Sequence, residues 1–211
     1  MSNVVTGRFG GRALLLGGLL WIVGMLFHPN APDMGTMASV NGLVWGIDHW
    51  IYLIGDLLLI AGFLLFYSHL VERGAEGWGA LALAAGALAF TLDVAATSLH
   101  MAAFPAAAAA GDQTVYDALL GVQGSLNYAG VAFFAIAIAF LGAALLRAGA
   151  WRVLAYVGII LGAVELVLML TPFFANISPW VGYLLFGLVP LWIALVGFKV
   201  AGTQPANAAA T

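Results

Sequence analysis

The sequence predicts an all-α, polytopic membrane protein built as a bundle of six transmembrane helices. Of its 211 residues, 64% are hydrophobic and only 7% are charged, whereas a soluble domain carries about 25% charged residues. The apolar residues are concentrated in six runs, and a helix needs about 20 such residues to cross the hydrocarbon core. Most of the runs lack the strict alternation of a lipid-spanning barrel strand, so each run is interpreted as a helix.

The predicted spans form a single domain over residues 1–201, and residues 202–211 are expected to be a disordered tail. The spans run approximately over Arg12–Phe27, Ile47–Tyr67, Trp78–Met101, Gly124–Leu146, Val153–Thr171 and Trp180–Phe198. No small-residue cleavage site follows the first run before His28, so this run is interpreted as an uncleaved helix rather than a signal peptide. The segments Pro29–Gly46 and Ala102–Gln123 are predicted to be long loops at one end of the bundle.

The basic residues predict the orientation of the bundle. Lys and Arg collect in the cytoplasmic loops of membrane proteins, and with both termini inside, all the basic residues of this chain become cytoplasmic. They are Arg8, Arg12, Arg73, Arg147, Arg152 and Lys199. We therefore expect an N-in, C-in protein, and the Ala/Gly-rich, Lys-poor composition favours a bacterial cytoplasmic (inner) membrane.

Composition also excludes several function classes. Six basic residues are too few for a nucleic-acid footprint, so no nucleic-acid partner is expected. The chain has no cysteine, which excludes disulfides, thiolate metal sites, Fe–S clusters and cysteine nucleophiles. The expected partners are the lipid bilayer and a lipid or small-molecule ligand, together with either further copies of the chain or a larger membrane complex.

Polar side chains inside the spans point to a functional pocket, because such groups are costly in a membrane and usually face the bundle interior. Spacings of three and four residues place them on one face of each helix. The faces consist of His49, Tyr52 and Asp56 on span two and of Asp93, Thr97 and His100 on span three. Because the two spans are consecutive and antiparallel, the histidines and the aspartates are expected at matching depths.

Three other spans are expected to add polar groups to this pocket. His28 ends span one, and Glu165 lies inside span five on a stripe with two small residues, Gly158 and Gly162, that permit close helix approach. Span four offers Gln123 and Asn127 on one stripe, with Gly130 below them. The expected result is an electron-rich pocket in the outer half of the bundle that contains no basic residue.

Imidazole and carboxylate groups in this combination favour a divalent metal ion. Buried carboxylates cannot all stay ionised unless protons or a cation neutralise them, and this ligand set suits Zn²⁺ or non-haem iron. The predicted ligands are His28, His49, His100, Asp56 and Asp93. Copper is a further candidate because Met34, Met37 and Met101 are expected near the histidines.

A metal site of this kind favours an enzyme that acts on a lipid or small amphiphile. A bound metal ion makes a nucleophile from water at neutral pH. In this interpretation one of Asp56, Asp93 and Glu165 is the fourth metal ligand or the catalytic general base, and the outer loops form a lid. Whether the protein is an enzyme stays open at this point.

Other interpretations compete with the metal site. His49 and His100 suit the axial ligands of a b-type haem, and the carboxyl groups suit a proton-coupled transporter of a small solute or metal. An accessory subunit of a larger membrane complex is a further alternative. A purely structural interpretation treats the deep carboxyls as protonated groups hydrogen-bonded between helices, Asp48 as a helix N-cap, and His69 as a solvated cytoplasmic residue.

Overall fold

The computed structural model describes residues 3–29, 33–170 and 179–202, and the side chains of residues 6–29, 33–170 and 187–202. Everything described is helical or turn, as the sequence predicts. In chain order the α-helices are α1 (Asn3–Phe27), α2 (Met34–Ser39), α3 (Gly42–Glu72), α4 (Glu76–Ser98), α5 (Phe104–Ala110), α6 (Gln113–Arg147), α7 (Arg152–Leu170) and α8 (Pro179–Ala201). A π-helical turn, Leu99–Ala103, joins α4 to α5. The predicted disordered tail falls almost entirely outside the described residues.

Within the described residues, five helical segments are long and apolar enough to cross a membrane. They are Thr6–Phe27, Gly42–Glu72, Glu76–Ala110, Gln113–Arg147 and Arg152–Leu170. The predicted sixth span, Trp180–Phe198, falls within α8, whose side chains are described only from Gly187 onwards. The count of six spans therefore stays a prediction.

The long helices follow one another around the bundle in the order α8, α1, α3, α4, α6 and α7, and α7 meets α8 again. Contacting neighbours are antiparallel, as the pairs Gly24–Tyr52, Gly130–Ala89 and Gly142–Ala155 illustrate. One end of the bundle carries His28, His49 and His100 and is called the histidine end below. The opposite end, called the basic end, carries every basic residue: Arg8, Arg12, Arg73, Arg147, Arg152 and Lys199.

Glycine allows α1 to lie against both of its neighbours. A Cβ at Gly10 would lie 2.7 Å from the backbone nitrogen of Phe66 on α3. A Cβ at the adjacent Gly11 would lie 2.6 Å from the backbone nitrogen of Ala201 on α8. The backbones at both contacts are too close for any side chain, which is the small-residue packing that membrane helices favour.

The two segments predicted as long loops at the histidine end are instead largely helical. Helix α2 begins after Asp33, which accepts from the backbone N–H of Thr36, and this bond holds the pKa of Asp33 below its usual range. Helix α3 begins after Asn41, whose side-chain oxygen accepts from the next helical N–H groups. Gly111, at φ 67°, ends α5, and Asp112 caps α6. The spans therefore extend past their apolar runs because polar capping residues start the helices early.

Two apolar cores lie within the described part of the bundle. The main core runs through the bundle and includes Leu14, Leu59, Phe90, Ile138 and Ile193, each at most 1% exposed. A smaller cluster lies over the histidine end where α2, α3, α5 and α6 meet; we call it the cap core. Its members are Met37, Trp45, Phe104, Ala107, Ala108 and Tyr116.

Candidate metal centre

Three histidines from three elements converge at the histidine end. They are His28 just after α1, His49 on α3 and His100 in the π-helical turn. One ring nitrogen from each lies within 4.8 Å of the others, which is close enough for all three to bind one ion. The prediction that these histidines form a cluster is confirmed.

His28 is oriented by a buried carboxylate. Its Nδ1 lies 2.6 Å from Oδ2 of Asp48, a residue of α3 that is 3% exposed. A carboxylate only accepts, so Nδ1 donates, and in a neutral imidazole this leaves the lone pair on Nε2. Metal-ligating histidines almost always donate their second ring N–H to such a partner.

His49 is oriented in the same way by its own helix. Its Nδ1 lies 2.8 Å from the backbone carbonyl oxygen of Trp45, one turn earlier. Since a carbonyl cannot donate, Nδ1 donates, and in the neutral ring Nε2 is then the unprotonated nitrogen. His49 is 1% exposed, and its buried Nε2 has no hydrogen-bond partner among the described residues. A buried acceptor in this state is costly unless it binds something, and an ion between the histidines would satisfy it.

His100 is held through its backbone. The indole Nε1–H of Trp45 donates to the His100 carbonyl oxygen at 2.8 Å. The ring centroid of His100 lies 5.3 Å from that of His49 and 6.3 Å from that of His28. The three rings therefore surround a common point rather than stacking in a row.

A cavity of about 290 Å³ opens beneath the histidines and extends into the bundle. All three histidines contribute to its wall, and the wall contains no basic residue. Most of the remaining lining is apolar and aromatic. The other lining residues are Trp21, Met25, Tyr52, Ala89, Phe90, Asp93, Ala96, Thr97, Gln123, Asn127, Gly130, Val131 and Phe134. The expected contribution of Gln123 and Asn127 is confirmed.

Asp56 and Asp93 form a separate pair deeper in the bundle. Their carboxyl groups are electrostatic neighbours. The indole Nε1–H of Trp21 donates to Asp56 Oδ1 at 2.8 Å, whereas Asp56 Oδ2 has no hydrogen-bond partner among the described residues. Each aspartate lies seven residues from a histidine on the same helix, a rise of about 10 Å. Asp93 lines the cavity floor, whereas Asp56 is fully buried behind it.

Glu165 is buried inside α7 but does not line the cavity. It is 5% exposed, and neither carboxyl oxygen has a hydrogen-bond partner among the described residues. Of the two small residues predicted to allow close helix approach, Gly162 lies against α6. A Cβ at this position would lie 2.4 Å from the carbonyl oxygen of Ala135. Gly158 instead accommodates the ring of Trp192 on α8.

The methionines predicted as copper ligands do not line the cavity. Met37 is buried in the cap core, and Met34 packs against it. Met101 follows His100 but is likewise not part of the wall, whereas Met25, which was not predicted, is. Met34 and Met37 therefore have a packing role in the described structure, as is usual for methionine.

His69 lies at the basic end, far from the other histidines. It is half-buried, stacks on Phe66 and packs against Gly7 of α1. It was expected to be a solvated residue and is only partly exposed, because α1 packs against it. Its twenty-residue separation from His49 corresponds to about 30 Å along α3.

Two residues that contact the histidines, Asp48 and Trp45, were not identified from the sequence. Asp48 was interpreted as an N-cap, which was wrong because α3 begins at Gly42 and Asn41 is its cap. Asp48 instead lies in the second turn and faces His28. Trp45 was not among the predicted site residues, yet it is 4% exposed and contacts the rings of all three histidines. The spacing of Trp45 and His49, one helical turn apart, was the available signal.

Comparisons of the chain with protein families, with curated proteins and with solved structures find no match.

Proposed function

We propose that this protein is a membrane-embedded metal-binding protein in which His28, His49 and His100 hold one divalent ion, with Zn²⁺ as the favoured metal. The observation that carries the proposal is the buried Nε2 of His49, which points to a ligand because no described residue bonds it. Two of the three imidazoles have Nδ1 bonded to an acceptor, which leaves Nε2 to bind the ion.

The separation of the three nitrogens suits a single ion after a small adjustment. Zinc binds histidine nitrogen at about 2.0 Å in a tetrahedral arrangement, which brings two such nitrogens to about 3.3 Å from each other. One ring nitrogen of each histidine, Nδ1 or Nε2, lies within 4.8 Å of the other two. His28 is about a third exposed, so its ring has room to rotate towards the other two.

The same arrangement favours an ion over a b-type haem. Two axial imidazoles must lie on opposite faces of a macrocycle that occupies the space between them. Here the ring of His28 lies 5.2 Å from that of His49 and 6.3 Å from that of His100. A third imidazole therefore lies beside the other two, where the macrocycle would have to fit.

Hydrolysis of a small amphiphile is the activity that this site supports best. Catalytic zinc sites keep three protein ligands and one open position, and here the open position would face an apolar cavity. A metal ion in such a site lowers the pKa of a bound water to about 7 and so supplies a nucleophile at neutral pH. The apolar wall would bind the hydrocarbon part of the substrate, and Asp93, Asn127 and Gln123 would bind its polar groups.

Elemental analysis of the detergent-purified protein tests the metal site. We expect one zinc per chain after reconstitution and at least a tenfold loss of affinity in His100→Ala and in His49→Asn. Asparagine keeps an N–H near the position of Nδ1 for the Trp45 carbonyl but removes Nε2. The matched control is His69→Gln, which should bind zinc like the wild type. Absence of zinc from the reconstituted wild type, or equal binding in all variants, would overturn the proposal.

We further propose that the histidine end faces the outside of a bacterial inner membrane. The support is that every basic residue belongs to the opposite end of the bundle. The chain has no cysteine, so single cysteines can report the topology. A membrane-impermeant maleimide added to intact cells should label Ser39→Cys and leave Glu72→Cys unlabelled until the cells are opened. The reverse pattern would show that the orientation is inverted.

A further inference from the structure

The backbone around His100 is wound differently from the rest of α4, and Pro105 explains why. Proline has no N–H, and its ring collides with the carbonyl four residues earlier in an α-helix. Here that carbonyl belongs to Met101, inside the π-helical turn Leu99–Ala103. The wider turn relieves the collision, and π turns of this kind are frequent at functional sites.

The π turn and Pro105 remove the two donors that a continued helix would supply to the carbonyl oxygen of His100. In an α-helix this oxygen would accept from the N–H of Phe104, but that N–H donates to Leu99 instead. In a continued π-helix it would accept from residue 105, which is proline. The indole Nε1–H of Trp45 donates to this oxygen at 2.8 Å. The indole N–H of Trp45, on α3, thus replaces the backbone N–H that a continued helix would supply to this oxygen.

Trp45 at the same time contacts the other two histidines. Its ring centroid lies 4.2 Å from that of His49 and 5.7 Å from that of His28, and its backbone carbonyl accepts from His49 Nδ1. On its other side the ring belongs to the cap core with Phe104 and Tyr116. One buried residue therefore connects all three histidines to the packing above them.

We propose that Trp45 is a positioning residue for the metal centre, which fixes His100 by bonding the carbonyl that loses its α-helical donor at the π turn before Pro105. This inference rests on the proposed three-histidine site. In this role Trp45 would orient His100 by a hydrogen bond to its backbone, without contacting the ion. Loss of a supporting hydrogen bond of this kind lowers metal affinity about 10- to 100-fold in known sites.

The test compares Trp45→Phe with Trp192→Phe. Trp192 is the matched control, since it is also buried and its indole N–H also donates to a backbone carbonyl, that of Leu154, at 2.8 Å. Both variants lose the same kind of bond. We expect at least a tenfold loss of zinc affinity only in Trp45→Phe, together with an altered visible spectrum of the Co²⁺-loaded protein. Equal affinity in Trp45→Phe and wild type, or an equal loss in both variants, would overturn the inference.

A double-mutant cycle with His100→Ala separates positioning from general destabilisation. If Trp45 acts through His100, Trp45→Phe should cause no further loss of the residual affinity in the His100→Ala background. Additive losses would contradict the inference. The two proposals are tested by different results. Absence of zinc from the wild type would overturn the metal site, whereas the role of Trp45 is judged on the difference in zinc affinity between the variants.

Discussion

Asp48 Oδ2 and His28 Nδ1 lie 2.6 Å apart and connect the second turn of α3 to the end of α1. His28 is the most exposed of the three candidate ligands, and it lies just beyond its helix, where the helical backbone does not hold it. The buried carboxylate therefore supplies the orientation that His49 obtains from its own helix. Asp48 also lies 3.6 Å from Nδ1 of His49, so one carboxylate is close to two ligands.

Asp48→Asn is expected to weaken zinc binding by about 10- to 100-fold, because an amide is a weaker acceptor than a carboxylate for the His28 N–H. The measurement is competition with a chromogenic chelator on purified protein. Asp112→Asn is the matched control, since Asp112 is an exposed N-cap of α6 and asparagine caps a helix as well as aspartate does. An affinity within twofold of the wild type in Asp48→Asn would contradict this role for the carboxylate.

Asp93→Asn is expected to leave the zinc content unchanged. Asp93 is two helical turns from His100, about 10 Å along α4, and its neighbour is Asp56 rather than a histidine. The substitution preserves the shape of the side chain and removes one of two neighbouring carboxyl groups. Elemental analysis beside His100→Ala provides the comparison. Loss of zinc from Asp93→Asn would restore the sequence-based assignment of this residue as a ligand.

Straight-chain alkyl hydroxamates are expected to bind the zinc-loaded protein more tightly as the chain lengthens. The hydroxamate binds the ion, and each additional CH₂ buried in the apolar cavity contributes about 0.8 kcal/mol, or about fourfold in affinity. Calorimetry on a two- to six-carbon series measures this slope. Val131→Phe should flatten it, because Val131 lines the cavity, whereas Val157→Phe, on the exposed face of α7, should not. A slope of zero in the wild type would exclude an apolar subsite below the ion.

The histidine cluster could be predicted because helical periodicity carries most of the information. Spacings of three and four residues align His49 with Asp56 and His100 with Asp93, and antiparallel neighbours then bring the two histidines to one level. His28 follows from the length of the first span. These relations follow from residue spacing and the known geometry of an α-helix, so the sequence alone is enough to predict them.

The details that decide the chemistry depend on contacts between distant segments. Asp48 is adjacent to His49, yet its partner is His28, twenty residues earlier. The π turn was not predicted because its cause, Pro105, lies within a segment that was interpreted as a loop. The helix ends were misplaced for a related reason, since Asn41 and Asp112 start α3 and α6 beyond the apolar runs.

Gly162→Ala is expected to destabilise the bundle by about 1–3 kcal/mol, the usual cost of overpacking. Its Cβ would lie 2.4 Å from the carbonyl oxygen of Ala135 and 2.7 Å from the backbone nitrogen of Ala139, so α6 and α7 must separate to admit it. The measurement is reversible unfolding in mixed detergent micelles. Gly121→Ala is the control, because nothing lies within 4 Å of its Cβ position, and alanine should stabilise that part of α6 by about 1 kcal/mol. Equal stability of the two variants would mean that α6 and α7 are not in close contact at Gly162.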